Sequence, residues 1–129
     1  MQPVAVRGNG TELAVIARHY ASQRVAVSKE ALDPALVIEG GRIAREGIAH
    51  AGVPACLTCH GAAARRRNPH FPNLDGQHAS YLAGQLRAWQ KKTRGGGPYG
   101  HLMAAIVDRM SGQEMEAAAH YFASRHSSR

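Results

Sequence analysis

Two cysteines and a histidine lie within the stretch Cys56-Leu57-Thr58-Cys59-His60, and the chain contains no other cysteine. Thiols at positions i and i+3 lie about one helical turn apart, so both can reach the two vinyl groups of one porphyrin. The next residue then places an imidazole at the iron. This spacing predicts a chain that folds around a covalently attached haem, with His60 as an axial ligand of the iron.

Other chemistries of paired cysteines fit the sequence less well. A zinc site needs two more ligands at fixed spacing, and the eight histidines offer no such pair. A thioredoxin-like redox motif needs a βαβ unit, which the sequence lacks. A disulfide across so short a loop would add little stability to a domain. Haem attachment therefore remains the prediction for Cys56 and Cys59.

A low-spin electron carrier needs a second axial ligand, and methionine sulfur favours Fe(II) and raises the reduction potential. Met103 follows a loop rich in glycine and proline, where the backbone can turn its side chain inward. Met110 and Met115 flank or enter the last helix, where core packing is the expected role. His101 would give bis-histidine ligation and a lower potential. We predict Met103 as the sixth ligand, with His101 as the first alternative.

Helical periodicity recurs along the chain, and no segment alternates as a strand does. Thr11 is the expected cap of the first helix, Asp33-Pro34 begins the second, and Ser111 with Glu114 forms a capping box for the last. The predicted helices cover residues 10–23, 33–47, 78–92 and 111–124, while residues 25–32, 61–77 and 95–98 are predicted to be looser or loop-like. The expected fold class is all-α, with long loops wrapped around a functional group.

The chain also repeats itself at an offset of 102 residues. Residues 1–22 align with residues 103–124 without a gap, and seven of the 22 pairs are identical. Two alanine-rich amphipathic helices can match in this way by composition alone. The alternative interpretation is that residues 1–32 are the closing helix and linker of a preceding, similar domain, and that residues 33–129 form the haem domain. Met1 then aligns with Met103, although Met1 has no haem of its own in this chain.

From about residue 33 to residue 124 the chain resembles a class I cytochrome c, and most closely one domain, the C-terminal one, of the two-haem cytochrome c4 group. The resemblance rests on G-V-P-A-C before the haem motif and C-H-G at its end, on P-N-L-D-G-Q at 72–77, on Tyr81-Leu82 with Gln85-Leu86, on Met103, and on Y-F-A-S at 121–124. It implies a cytochrome c fold of a few helices and long loops around one haem.

The resemblance also implies roles for individual residues. Met103 falls at the family's axial methionine, and Pro72 falls at the proline whose carbonyl accepts a hydrogen bond from the axial imidazole. Trp89 and Arg94 match positions that line the haem edge and its propionates. Each also has a simpler interpretation: Pro72 as a turn residue, Trp89 as core packing, and Arg94 as a solvated charge.

Two further positions concern the helices themselves. Gly40 and Tyr121 match the positions at which the first and last helices of the fold cross closely. Ala44 departs from the family pattern, because an aromatic residue usually packs beside that crossing. A looser helix contact is therefore expected there.

The resemblance implies an electron carrier rather than an enzyme, because both axial positions are filled. It would cycle Fe(III)/Fe(II) in a bacterial periplasmic respiratory chain. An export signal is absent from this sequence and is expected to belong to a lost N-terminal part. The alternatives are an electron-accepting, haem-bearing subunit of a periplasmic dehydrogenase, or a haem sensor with an open sixth site.

The formal charge of +7 suggests which partners to expect. A basic surface suits acidic patches on redox proteins such as a quinol-oxidising complex or a terminal oxidase. Nucleic acid is not expected, because no stacking aromatics are interleaved with the basic residues. No apolar run approaches the ~20 residues that cross a membrane. Self-association through the N-terminal helix is a further expectation.

Overall fold

The computed structural model describes residues 8–23, 30–68, 70–95 and 97–125. Within these ranges the chain forms helices and no strand, so the predicted all-α class is confirmed. The helices are α1 (Gly10–Ser22), α2 (Pro34–Glu46), α3 (Leu57–His60), α4 (Ala62–Arg67), α5 (Ala79–Gln90), α6 (Gly100–Val107) and α7 (Gly112–Ser124), with short 3₁₀ turns at Ala49–Ala51 and Gly97–Tyr99. None of the described helices is long and apolar enough to cross a bilayer.

The four predicted helices correspond to α1, α2, α5 and α7 to within about two residues at each end. Three details differ. Asn9, rather than Thr11, caps α1, because its side chain accepts from the Glu12 N–H. Residues 62–67 form α4 instead of a loop, since alanine and arginine are strong helix formers. The third difference is α6, a short helix directly after the glycine-rich loop that the sequence did not predict. Residues 25–29 of the predicted looser stretch lie outside the described residues.

Helices α2 and α7 cross closely at Gly40, which is buried. A Cβ atom at this position would overlap the carbonyl oxygen of Ala117 and lie 2.9 Å from the Cβ atom of Tyr121. Ala44 is fully buried one helical turn further along α2, in a cluster that includes Tyr121 and Phe122. The crossing is thus close-packed at Ala44 as well, and the looser contact expected there is not seen.

A carboxylate from far along the chain caps the N-terminus of α5. His78, at the N-cap position, makes no capping hydrogen bond with its side chain. Instead, Glu30 accepts from the backbone N–H groups of Ala79 at 2.7 Å and Ser80 at 3.1 Å. A hydrogen bond from the Ser80 side chain is the main reason why the pKa of Glu30 lies below its ordinary value, and the two backbone N–H groups lower it further. Glu30 therefore fixes the segment before α2 to the start of α5.

Replacing Glu30 with glutamine is expected to lower the free energy of unfolding at neutral pH by about 1 kcal/mol, the usual size of a lost cap. Because the folded-state pKa of Glu30 is lowered, its contribution is present above its unfolded-state pKa and is lost as pH falls through the folded-state value. The stability of Glu30→Gln should therefore fall less steeply in acid than that of the parent chain. Denaturant unfolding as a function of pH measures both effects.

Glu46→Gln is the matched control, because Glu46 is exposed and its carboxylate accepts no hydrogen bond from the residues that the structure describes. An equal loss of stability in the Glu46 and Glu30 variants would contradict the cap.

Candidate haem-binding site

Helix α3 and its N-cap residue hold all three residues of the attachment motif in a single turn. The Cys56 carbonyl accepts from the backbone N–H of Cys59 at 3.2 Å and of His60 at 2.8 Å. Cys56 itself has helical backbone angles and stands at the N-cap of α3. The two thiols therefore lie one turn apart and the imidazole follows directly, as the sequence spacing predicts.

Both cysteines are free and half-buried. Cys56 packs against both hydrophobic clusters of the core, one of which contains Val107 and Met115, and the other Leu82 and Phe122. Burial raises the pKa of the Cys56 thiol to about 11. A thiol in this environment is protonated at neutral pH, which disfavours disulfide exchange and thiolate binding of a free metal ion.

His60 is buried, with 8% of its surface exposed. Its Nδ1 atom lies 3.0 Å from the carbonyl oxygen of Pro72. Because a carbonyl can only accept, this contact assigns the proton to Nδ1 and leaves the lone pair of Nε2 for a metal. Burial is the main cause that lowers the pKa of His60 below its ordinary value, and the hydrogen bond to Pro72 acts in the opposite direction. The neutral imidazole is the form that binds iron.

Met103 and His101 lie two residues apart on α6 and therefore face different sides of the helix. Met103 is half-buried and packs against the cluster that Cys56 also contacts. His101 is exposed and lines the same surface pocket as Trp89 and Arg94. Met110 and Met115 are 6% and 1% exposed inside the core, as expected for packing residues. Met103 therefore stays the predicted sixth ligand, half-buried beside the same cluster as Cys56.

Trp89 and Arg94 lie together at a pocket of about 250 Å³ between the end of α5 and the start of α6. The Arg94 guanidinium stacks over the Trp89 ring at 4.2 Å from its centroid. The Nε1 atom of Trp89 is buried and has no hydrogen-bond partner among the described residues. A buried N–H without a partner costs about 1–3 kcal/mol, so the indole indicates an acceptor that the described residues do not supply.

The residues present fit a covalently attached haem. Two thiols stand one turn apart, an oriented imidazole follows, and a buried indole N–H beside an arginine can bind a propionate carboxylate. A haem would supply the missing acceptor for Trp89 and the metal for the free Nε2 of His60.

Sequence reasoning missed two features near His60. The first is Phe71, whose ring lies 6.4 Å from the His60 ring and 6.3 Å from that of Tyr99. The sequence feature that could have indicated a role for Phe71 is its position, as an aromatic residue directly before Pro72 in an otherwise polar loop. The second is Arg65, the first residue of the arginine run at 65–67. Its Nε atom is buried and has no partner among the described residues.

A family model described as cytochrome c matches residues 44–125. The chain is 38% identical over 91 residues to the thiosulfate dehydrogenase electron acceptor of Thiomonas intermedia. The aligned region covers 70% of this chain and 42% of that protein. It is 34% identical over 116 residues to cytochrome c4 of Pseudomonas aeruginosa, and the aligned region covers 89% of this chain and 57% of that cytochrome.

Among solved structures, cytochrome c4 from Pseudomonas stutzeri superposes with a TM-score of 0.74 at 32% identity. The match covers 86% of this chain and 58% of the cytochrome c4 chain. The chain thus spans about half the length of the relatives that it matches.

Proposed function

Because this chain belongs to the cytochrome c family, we propose that it is an electron carrier in which His60 and Met103 bind the iron of its haem. The family match confirms two sequence predictions, the cytochrome c fold and one covalently bound haem c. The observation that best supports the axial assignment is the 3.0 Å contact between Nδ1 of His60 and the Pro72 carbonyl, which leaves Nε2 free one residue after Cys59.

The haem supplies the one-electron couple between Fe(III) and Fe(II). The polypeptide provides the surroundings that set its potential. Pro72 holds the His60 ring in one orientation and tautomer. Cys56 and Cys59 fix the group to α3, and the apolar cores on either side of Cys56 exclude water. Trp89 and Arg94 are proposed to bind a propionate, since one offers an unpartnered N–H and the other a positive charge.

The sixth ligand is tested by comparing Met103→Ala with His101→Ala in exported holoprotein. We expect Met103→Ala to lose the weak far-red band of ferric iron bound to methionine sulfur, and its reduced form to bind carbon monoxide. His101→Ala should keep the band and exclude carbon monoxide, because His101 is exposed on another side of α6. Loss of the band in His101→Ala alone would contradict the assignment. Carbon monoxide binding by the parent protein would favour a haem sensor with an open site.

The partners that we propose are redox proteins with acidic patches, such as a quinol-oxidising complex or a terminal oxidase, in the bacterial periplasm. The charge distribution supports this. Residues 47–107, which contain every proposed haem contact, hold seven arginines and lysines but one acidic residue, Asp75. Asp75 is paired with Arg125 at 2.6 Å. The haem-binding part of the chain is therefore strongly basic, and a complementary acidic surface would steer the encounter.

A second candidate function is an electron-accepting, haem-bearing subunit of a periplasmic dehydrogenase. The similarity to proteins described as thiosulfate dehydrogenase electron acceptors supports it. Mixing the oxidised chain with a thiosulfate dehydrogenase and thiosulfate distinguishes the two. Rapid growth of the reduced haem bands, dependent on the enzyme, would favour the subunit role. Their absence, with reduction by a quinol-oxidising complex, would favour the respiratory carrier.

We also propose that residues 1–32 are the closing helix and linker of a preceding cytochrome-like domain, and that residues 33–129 are the haem domain. Helices α1 and α7 correspond closely: each has 13 residues and a capping box, at Asn9–Glu12 and Ser111–Glu114. The hydroxyl groups of Ser22 and Ser124 each donate to the carbonyl three residues earlier, at 2.7 Å. Residues 1–7, which include the Met1 that aligns with Met103, lie outside the described residues.

The two helices differ in their surroundings. α7 is buried against α2 and α5, whereas every residue of α1 is exposed, including the apolar Val15, Ile16 and Tyr20. Such an apolar surface suits packing against other elements of the proposed preceding domain, or self-association through α1. A longer natural protein that contains this chain and binds two haems per polypeptide would support this organisation. The ratio of iron to protein measures the number of haems.

A further inference from the structure

The loop at residues 72–77 carries the carbonyl that orients the axial imidazole, and this loop is attached to the C-terminal end of α7. The Pro72 carbonyl oxygen lies 3.0 Å from Nδ1 of His60. Within the same loop, the backbone N–H of Gly76 donates to the Phe122 carbonyl at 2.9 Å. The acceptor for His60 is therefore supplied by a segment whose position depends on a helix that is distant in sequence.

An ion pair forms a second attachment between this loop and α7. The Nε atom of Arg125 donates to Oδ1 of Asp75 at 2.6 Å, and its Nη1 atom donates to the Tyr121 hydroxyl at 2.8 Å. The Asp75 side chain is 12% exposed and the Arg125 side chain 38%, so water screens this pair less than it screens a fully exposed one. The guanidinium also lies over the Tyr121 ring, 5.4 Å from its centroid. Arg125 thus holds Asp75 against the end of α7.

The same end of α7 contacts the axial imidazole directly. The Phe122 ring lies 6.5 Å from the His60 ring, at an angle of 72° between the two planes. One helix end therefore packs against the imidazole and also, through the Asp75–Arg125 pair, holds the loop that supplies its hydrogen-bond acceptor. A shift of the loop relative to α7 would move the Pro72 carbonyl while the ring stays packed on Phe122, and so lengthen the hydrogen bond.

We propose that Asp75 and Arg125 are positioning residues for the axial imidazole, because together they hold the Pro72 carbonyl at its hydrogen bond. This rests on the proposed function, in which His60 binds the iron. A hydrogen bond donated by Nδ1–H makes the imidazole a more basic ligand, which stabilises Fe(III) relative to Fe(II). The Asp75–Arg125 pair therefore keeps the reduction potential lower than it would be with a loose loop.

The direction of the potential shift separates positioning from a simple effect of charge. Asp75→Ala removes a negative charge, and Arg125→Met removes a positive one while it keeps most of the aliphatic stem. Through charge alone, the first variant would raise the potential and the second would lower it. If the pair positions the loop, both variants raise the potential. The double variant should then shift about as far as either single variant, because the same attachment is lost in all three.

The experiment combines a redox titration of the exported holoproteins with NMR of their reduced forms, which follows the exchange of the His60 Nδ1 proton with solvent. We expect Asp75→Ala and Arg125→Met to raise the midpoint potential and to exchange this proton about tenfold faster than the parent protein. Arg125→Lys keeps the charge and can still pair with Asp75, so it should remain close to the parent in both measurements.

Glu39→Ala is the matched control. Glu39 forms an ion pair with Arg42 that has the same length, 2.6 Å, but lies within α2, with side chains that are 44% and 49% exposed. Its loss removes a carboxylate and breaks an ion pair without touching the loop at 72–77. Neither the midpoint potential nor the exchange of the His60 proton should change beyond the small, salt-screened effect of one exposed charge.

Two results would overturn the positioning role while leaving the electron carrier intact. One is a pair of shifts of opposite sign in Asp75→Ala and Arg125→Met, which is the signature of charge alone. The other is lower stability with an unchanged potential and unchanged proton exchange. A parent protein without any haem couple would instead refute the proposed function. If Asp75→Ala is too unstable to titrate, Arg125→Met still decides, because positioning predicts an upward shift and charge alone a downward one.

Discussion

Replacing Gly40 with alanine is expected to lower the free energy of unfolding of the holoprotein by about 3 kcal/mol, at the upper end of the range for overpacked cores. A Cβ atom at residue 40 would overlap the Ala117 carbonyl and lie 2.9 Å from the Cβ atom of Tyr121. The Ala117 carbonyl belongs to the backbone and cannot rotate away, so α2 and α7 must separate. Denaturant unfolding of the exported holoprotein measures the loss.

The expected loss of stability is large because other packing depends on the crossing of α2 and α7. α7 packs against both α2 and α5, so its displacement also disturbs the cluster around Leu82 and Phe122 that contacts Cys56. Gly112→Ala, at the start of α7, is the control, because a Cβ atom there meets nothing within 4 Å. It should leave stability unchanged or raise it slightly, since alanine restricts the unfolded chain. A Gly40→Ala protein as stable as Gly112→Ala would contradict the close crossing.

The double replacement Cys56→Ala with Cys59→Ala is expected to abolish covalent haem attachment completely. Without either thiol, no thioether bond to the porphyrin can form, although His60 remains to bind iron reversibly. Haem staining after denaturing electrophoresis measures this directly, because only covalently bound haem stays with the chain. Each single variant keeps one thiol and should retain at most a reduced amount.

Thr58→Ala is the matched control, because Thr58 lies between the two cysteines and is exposed. It should retain haem at the level of the parent protein. Haem that stays with the double variant after denaturation would contradict the attachment sites. Loss of haem in Thr58→Ala would show that the turn, rather than the two thiols, determines attachment.

The sequence predicts most of the fold where the signals are local. The Ser111–Glu114 capping box and the Asp33-Pro34 start both lie where the helices α7 and α2 begin. α4 escaped prediction because its flanking glycine and prolines marked the whole region as a loop, and α6 because it is short and follows a glycine run. Helices of this length owe their stability to packing rather than to periodicity.

Features that join distant residues could not be predicted from local patterns. Glu30 caps α5 from 49 residues away, and no spacing rule relates the two segments. The haem motif, by contrast, was predictable because attachment and ligation are local along the chain. The Pro72 contact was implied only by the family resemblance, and the structure supplies its distance. The stacking of Arg94 on Trp89 was not predicted. The shielding of Arg65 depends on tertiary packing that its sequence neighbours do not reveal.

The most direct test of the central claim is the absorption spectrum of the exported protein, oxidised and dithionite-reduced, combined with acid–acetone extraction. A haem bound through Cys56 and Cys59, with His60 and Met103 at the iron, predicts sharp reduced bands that remain with the protein and a weak far-red band in the oxidised form. A protein that was exported with an intact maturation system, yet releases its haem or retains none, would contradict the account.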